Sequence, residues 1–343
     1  MRELVIVIAD LHLPSDQASL RPEGPPGAGA GPWPGIEHVG RFGSPAPLAE
    51  GWRGWVARWL GLAEYANHPA ASVAAALTDV PADRACWLAT ALHLVEGLTR
   101  VHVDWSCLLR LPKQQRDRLA VDFRETFRGS GFDLAGLESG EFLLTAPPLA
   151  PIRTIEPVRV PQVSMAEALP SGEGAAALRR LGTEIEMWLH THPLNTERVR
   201  RGERPVSTLW IWGGGEPPVQ APALPVPAVN VFASDAYVRG LCRLAGLECS
   251  TLAPEGAVTN EATVPRTLCV LEALESLRTH DGTSLPAALA ELDRRVIAPA
   301  VEAVRRGRIQ RLVLLANDRR WTLRPADRLR FWRRRRRALE ALA

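Results

Sequence analysis

Apolar residues along this chain fall into short runs and helical stripes, and these predict an alternation of strands and helices. Leu4 to Ile8 is a continuous apolar run and predicts a buried strand, central in an α/β sheet. Trp52, Trp55, Val56, Trp59 and Leu60 recur at three- and four-residue spacing, which predicts a helix whose indoles cover the sheet. Val101 to Leu109 reads as a strand, Lys113 to Phe127 as an amphipathic helix and Glu141 to Ala146 as a further strand, together a compact α+β insert. Leu178, Leu181, Ile185, Trp188 and Leu189 form the apolar stripe of a helix that should stop at His192, because Pro193 disfavours helical geometry in the residue before it. The polar run Asn195 to Arg204 then reads as a surface loop. Ser207 to Trp212 is almost continuously apolar, the pattern of a strand covered on both faces in a mainly parallel sheet, and Gly213, Gly214 and Gly215 should end it.

Ala228 to Phe232 and Thr267 to Leu271 read as short strands, with a helix from Tyr237 to Ala245 between them. Leu285 to Arg305 predicts a long helix bent at Pro299, Gln310 to Ala316 the last clear strand, and Ala326 to Leu342 the last helix. Gly24 to Pro34 and Pro147 to Pro170 are rich in glycine and proline, and read as a surface loop and an extended connection. The fold class expected is α/β, in three stretches: residues 1–98 and 166–343 forming one domain, and 99–165 an inserted α+β subdomain with its linker.

The 343 residues are 46% hydrophobic, enough for a large core and incompatible with a disordered chain. No apolar run is long enough to cross a bilayer, and Met1 to Ile8 is too short for a secretory signal before Asp10 interrupts it, so a cytoplasmic protein is expected. Cys86, Cys107, Cys242, Cys249 and Cys269 include no C-x-x-C pair and read as reduced core thiols. A formal charge of +3 does not by itself imply nucleic acid, and the proline-rich, aliphatic context matches no DNA-reading module. The run Arg333 to Arg337 predicts a solvated terminal helix that can meet a protein partner or phosphates.

Four groups carry candidate chemistry. Asp10 and His12 follow the first strand with metal-ligand spacing, but the other ligand elements of a calcineurin-like phosphoesterase are absent. His190 and His192 diverge at a helix end, where dipole and capping roles account for both. Asn195, Arg198, Arg201 and Arg204 beside Gly213, Gly214 and Gly215 form a candidate anion site, because guanidinium forks bind carboxylate or phosphate bidentately. The proline-rich segment after the glycines cannot open a helix, so the dipole and amide cradle of dinucleotide or ATP sites are missing.

The segment HTHPLNTERVRRGERPVSTLWIWGGGEPP resembles the H-x-x-N-x-x-R-x-x-x-G-x-x-P-x-N-x-x-W-L-W-G-x-G element of cofactor-independent phosphoglycerate mutases of the archaeal type, in the alkaline-phosphatase superfamily. It is also similar to proteobacterial proteins labelled phosphoglycerate mutase or RpfE-type regulatory protein. His192, Asn195, Arg198, Gly202, Pro205, Trp210, Trp212, Gly213 and Gly215 fall on the pattern, and Ser207 replaces an asparagine. The resemblance implies an alkaline-phosphatase-like α/β/α sandwich with an inserted subdomain. Active mutases of this kind hold two metal ions with Asp and His from several strand ends and use a serine nucleophile. Here the positions that answer to ligands are Asp10, followed by Leu11 in place of glycine, His280 and Asp281, preceded by Thr279 in place of glycine, and Asp318, followed by Arg319 in place of histidine. No serine sits in a recognisable nucleophile motif. The resemblance therefore implies a regulatory or ligand-binding pseudoenzyme for a small phosphorylated or carboxylated ligand, or, with Mn or Zn bound, a phosphomutase or phosphatase.

Overall fold

A computed structural model describes residues 2–9, 11, 33–96, 101–102, 107–162, 165–218, 228–251, 265–272, 285–330 and 332. The first elements are β1 (Glu3–Ile8), α1 (Pro34–Phe42), β2 (Ser44–Pro47), α2 (Gly51–Leu60), α3 (Ala70–Ala74), β3 (Ala85–Leu92), β4 (Val95–Glu96), β5 (Val101–His102), α4 (Lys113–Thr126), β6 (Asp133–Gly136) and β7 (Phe142–Ala146). There follow α5 (Met165–Ala168), α6 (Ala175–Thr191), α7 (Pro193–Arg200), β8 (Thr208–Gly215), β9 (Val229–Phe232), α8 (Ala236–Ala245), β10 (Cys249–Ser250), β11 (Arg266–Leu271), α9 (Leu285–Leu292), α10 (Ala298–Arg305), β12 (Arg311–Ala316) and β13 (Arg319–Leu323). Contacts divide the chain into two units, one of residues 1–66, 224–234 and 245–343, the other of residues 67–223 and 235–244.

The first unit is built on a seven-stranded sheet of order β10-β9-β11-β1-β12-β13-β2. The five strands from β10 to β12 are parallel, and β13 and β2 extend the sheet antiparallel. The fold is α/β with a large, mainly parallel sheet. β1 is central, paired with β11 and β12 on either side, and Leu4 to Ile8 are almost wholly buried, as five consecutive apolar residues require. On α2, Trp52, Val56 and Leu60 face the core, while Trp59 donates its indole N–H to Glu3 at 3.1 Å. Prolines at both ends of Pro45–Pro47 suit β2 to the sheet edge, where a strand has no outer neighbour to receive an N–H.

The helix expected over 285–305 runs through, with a π turn at Asp293–Ile297 just before Pro299. A π turn absorbs one extra residue, and here the Ala298 N–H reaches back five residues to the Asp293 carbonyl. It also places Asp293 in the core, where its carboxylate accepts from Gly35 N at 3.1 Å and Ile36 N at 2.7 Å. That supplies the cap of α1, whose own N-cap residue Trp33 makes no side-chain bond to the helix. A Cβ at Gly35 would lie 2.5 Å from Ala298 N, so only glycine admits this approach.

The second unit holds a four-stranded antiparallel sheet of order β6-β7-β3-β8. Ala85, Trp87, Ala89 and Ala91 of β3 and Leu209 and Ile211 of β8 line one face, under Leu119 and Phe123 of α4 and Leu178, Leu181, Ile185 and Leu189 of α6. On the other face Leu92 and Trp210 pack with Cys107, Leu108, Val158, Val160 and Ala168.

Several expectations are corrected. The Ser207–Trp212 strand belongs to this antiparallel sheet, not to the parallel one. Burial on both faces gives a continuous apolar run in either kind of sheet, and its partner β3, with every residue buried, was not foreseen. The three glycines lie inside β8, not beyond it. Asn195 to Arg204 is not a surface loop, because α7 restarts directly after the break at His192 and buries Asn195 and Arg198. Helix α1 was unforeseen, β13 follows the supposed last strand, and Pro325–Leu329 is a short 3-10 turn. Strand pairing in the expected strand Val101–Leu109 is found at β5 and at a bridge from Leu92 to Leu108. The second unit groups β3 and β8 with the stretch 99–165. All five cysteines are thiols outside any disulfide and four are buried, and burial pushes the Cys86 and Cys269 thiols up to about 12. Arg333 to Arg337 and the segment 24–32 lie outside the described residues.

Candidate functional site

The H-x-x-N-x-x-R residues form one corner between α6, α7 and β8. His192 ends α6 in extended backbone, and its Nδ1 accepts the N–H of Leu194 at 3.1 Å, so the side chain caps α7. The opposite ring nitrogen, Nε2, lies 3.1 Å from Asp122 of α4. Asn195 donates from Nδ2 to the carbonyls of Leu189 at 2.7 Å and Val206 at 2.8 Å, and its Oδ1 accepts the N–H of Val206 at 2.8 Å. Arg198 donates to the carbonyl of Arg204 at 2.8 Å and to Gln115, and pairs with Glu203 at 3.0 Å. Burial lowers the Arg198 guanidinium from its ordinary value, with Glu203 opposing. Asn195 and Arg198 thus turn their polar atoms inward to hold the chain reversal. Arg201 is exposed at the end of α7, Arg204 is half-buried, and Gly202 between them takes φ +73° in the turn. His190 is exposed on α6.

The glycines are explained by close packing. A Cβ on Gly214 would lie 1.9 Å from Nε1 of the buried Trp87, and one on Gly215 2.4 Å from Oγ of Ser72 on α3. The N–H of Gly213 is taken by Oγ1 of Thr154 at 3.0 Å, and the Gly215 carbonyl accepts from the Cys86 thiol at 3.2 Å. β3 and β8 shift register in this stretch, where glycine is favoured at a bulge.

The second set of candidates belongs to the seven-stranded sheet. Because β11, β1 and β12 are adjacent and parallel, their carboxyl ends finish side by side, with Ile8 registered against Leu271 and Val7 against Leu315. Ligands in open α/β sheets bind beyond that edge. Asp10 follows β1, His280 and Asp281 follow β11, and Asp318 follows β12. Asp10, His280 and Asp281 lie outside the described residues. On either side of position 10, Ala9 donates its N–H to the Leu271 carbonyl at 2.9 Å and the Leu11 carbonyl accepts from Asn317 N at 3.1 Å, joining all three strand exits through the backbone.

Asn317 and Asp318 adopt φ +48° and +56° and form the two-residue turn between β12 and β13, whose flanking residues Ala316 and Arg319 pair. A two-residue hairpin of this hand needs positive φ at both central positions, and Asn and Asp are the non-glycine residues that tolerate it best. The Asp318 carbonyl accepts from Leu48 N at 2.9 Å. Arg319 is the exposed first residue of β13.

Against this geometry stand the relatives. A probable 2,3-bisphosphoglycerate-independent phosphoglycerate mutase of Geobacter sulfurreducens is 34% identical over 121 residues, which are 34% of this chain and 29% of that protein. The 2,3-bisphosphoglycerate-independent phosphoglycerate mutase 2 of Methanothermobacter thermautotrophicus is 34% identical over 101 residues, 28% of this chain and 25% of that protein. Over those stretches the chain is phosphoglycerate-mutase-like. The matches span less than a third of either relative's length. No protein-family profile matches the chain. Among solved structures, the PH0037 protein of Pyrococcus horikoshii aligns over 94% of this chain and 87% of its own, at 14% identity and a TM-score of 0.47. The cofactor-independent phosphoglycerate mutase of Thermoplasma acidophilum aligns over 94% and 89%, at 14% identity and a TM-score of 0.37.

At the carboxyl edge the structure adds a pair that sequence reasoning missed. Ser234, just past β9, donates to Glu272, just past β11, at 3.3 Å, and both side chains are half-buried. Neither residue stands in a motif; only the adjacency of β9 and β11 brings them together. Among the described residues no group of three or more His, Cys, Asp or Glu is placed to hold a metal ion, so these residues alone do not make a metal-ligand set. Among them, too, no helix is long and apolar enough to cross a membrane.

Proposed function

We propose that this cytoplasmic, phosphoglycerate-mutase-like protein binds a small phosphorylated or carboxylated acid at the carboxyl edge of its seven-stranded sheet, as a regulatory pseudoenzyme related to the RpfE-type group. The observation that carries this reading is the Asn317–Asp318 turn. Both residues are accounted for by the positive φ of a tight hairpin, and the mutase histidine that should follow is Arg319, the exposed first residue of β13. A guanidinium is always protonated and cannot ligate a metal as imidazole does, but it binds phosphate or carboxylate. The corner residues Asn195 and Arg198 are set aside as ligand groups because their bonds are made within the fold.

One observation favours an enzyme instead, a Mn- or Zn-dependent phosphomutase or phosphatase. The strands preceding Asp10, His280–Asp281 and Asp318 are neighbours in the sheet and exit at one edge. Assay of 3-phosphoglycerate isomerisation with added manganese separates the two. The pseudoenzyme reading expects no turnover above a protein-free blank, and saturable binding of 3-phosphoglycerate by calorimetry that Arg319→Ala weakens. Turnover abolished by both Asp10→Ala and Asp318→Ala would overturn it.

A further inference from the structure

The imidazole of His192 is buried at 4% exposure, and both ring nitrogens are committed. Nδ1 accepts the Leu194 N–H, so it carries no proton, and the proton of the neutral ring must sit on Nε2, which faces Asp122 Oδ2 at 3.1 Å. Trp188 meets the ring edge-on at 4.8 Å between centroids. We propose that His192 is a proton-controlled latch, which holds the α6–α7 corner while the ring is neutral and releases the first turn of α7 when a second proton arrives.

A proton on Nδ1 converts the acceptor of the cap into a donor pointed at another donor. The Leu194 N–H, itself in a buried residue, then loses its partner. The opposing effect is an ion pair between imidazolium and Asp122, so every charged group around the ring matters. Asp122 and Arg118 face it from α4, and Glu197 from α7. Arg118 already pairs with Asp122 at 3.7 Å and with Glu197 at 2.9 Å, so both carboxylates are shared before the imidazole charges. Burial is the largest influence on the ring and lowers its pKa from the ordinary 6.5; Asp122 opposes it and Arg118 adds to it. The sign follows. The native state holds the neutral ring to lower pH than the unfolded chain does, so the latch contributes fully above 6.5 and is lost as pH falls below that value.

Release acts on the segment that carries Asn195 and Arg198. The Asn195 N–H bonds the His192 carbonyl at 3.0 Å, whatever the charge on the ring, so the two neighbouring amides report differently. The test is a pH titration of the whole protein by nitrogen-15 NMR, with amide exchange of Leu194 and Asn195 measured at each pH. The expected result at pH 7.5 is a ring protonated at Nε2 only. As pH falls and Nδ1 takes a proton, Leu194 should lose protection about tenfold or more relative to Asn195. His192→Asn, whose side-chain oxygen caps a helix without titrating, should abolish that dependence. A ring protonated at Nδ1 at neutral pH would overturn the proposal even if the variant failed to fold, and so would an unchanged Leu194 dependence in a folded variant.

Discussion

Replacing Asn195 with alanine discriminates a structural corner from an anion site. The side chain makes three bonds of 2.7 to 2.8 Å, and the truncation leaves the carbonyls of Leu189 and Val206 and the N–H of Val206 without those partners. Asn195 is 7% exposed, so water replaces them poorly. A net hydrogen bond contributes about 1 kcal/mol, and an orphaned buried group costs about 1–3 kcal/mol. Three such bonds put the loss at roughly 3–5 kcal/mol, a large share of the ~5–15 kcal/mol typical of whole domains. Equilibrium denaturation in urea, followed by tryptophan fluorescence, measures it on the transition that reports the second unit. Arg201→Ala, at an exposed position of the same segment, serves as the control, with an expected change within about 0.5 kcal/mol. Asn195→Asp keeps the acceptor for Val206 N–H but turns an oxygen towards two carbonyls, and should be at least as damaging as alanine. A loss below about 1 kcal/mol, matching the control, combined with weakened binding of 3-phosphoglycerate, would refute the structural account.

Other perturbations test the remaining contacts. Gly214→Ala places a methyl 1.9 Å from the buried Trp87 indole and should destabilise by about 1–3 kcal/mol through overpacking, with a change in near-ultraviolet circular dichroism; an unperturbed spectrum would contradict the packing account. Asp318→Gly relieves φ +56° and should leave thermal stability equal or higher, whereas Asp318→Val should lower it by about 1–3 kcal/mol. Asp293→Ala leaves Gly35 N–H and Ile36 N–H uncapped and should cost about 2–4 kcal/mol in urea unfolding. Burial, the largest influence, raises the Asp293 pKa above 3.8. Stability from that shift is therefore present below 3.8 and lost as pH rises through the folded value, and the wild type should lose ground to Asp293→Asn over that window.

Local pattern set much of the first unit. Leu4 to Ile8 is an uninterrupted apolar run because a central parallel strand has no solvent face, and β1 sits where that implies. The stripe of α6 was legible for the same reason, since residues three and four apart share one face of a helix. The fate of Ser207–Trp212 was not. Continuous burial shows that a strand is covered on both sides, but not which strands it pairs with, and β3 was hidden in an alternation of small and large residues without strong strand character. The packing of the glycines was not legible either, because Trp87 and Ser72, which occupy the space a Cβ would need, lie more than a hundred residues away in the chain. Asn195 and Arg198 carry no sign in sequence of whether they face solvent, and the carbonyls of Leu189, Val206 and Arg204 turned them inward.

The order of residues alone determined many of the strands and helices, β1 and α6 among them, and the mutase-like signature, because these are written in short-range spacing. Only the tertiary structure decided that Asn195 and Arg198 of the signature bond within the fold, and that β9, β11, β1 and β12 bring their exits to one edge. Hydrogen-bond partners and packing neighbours are set by contacts between residues far apart in sequence, and no local periodicity records them.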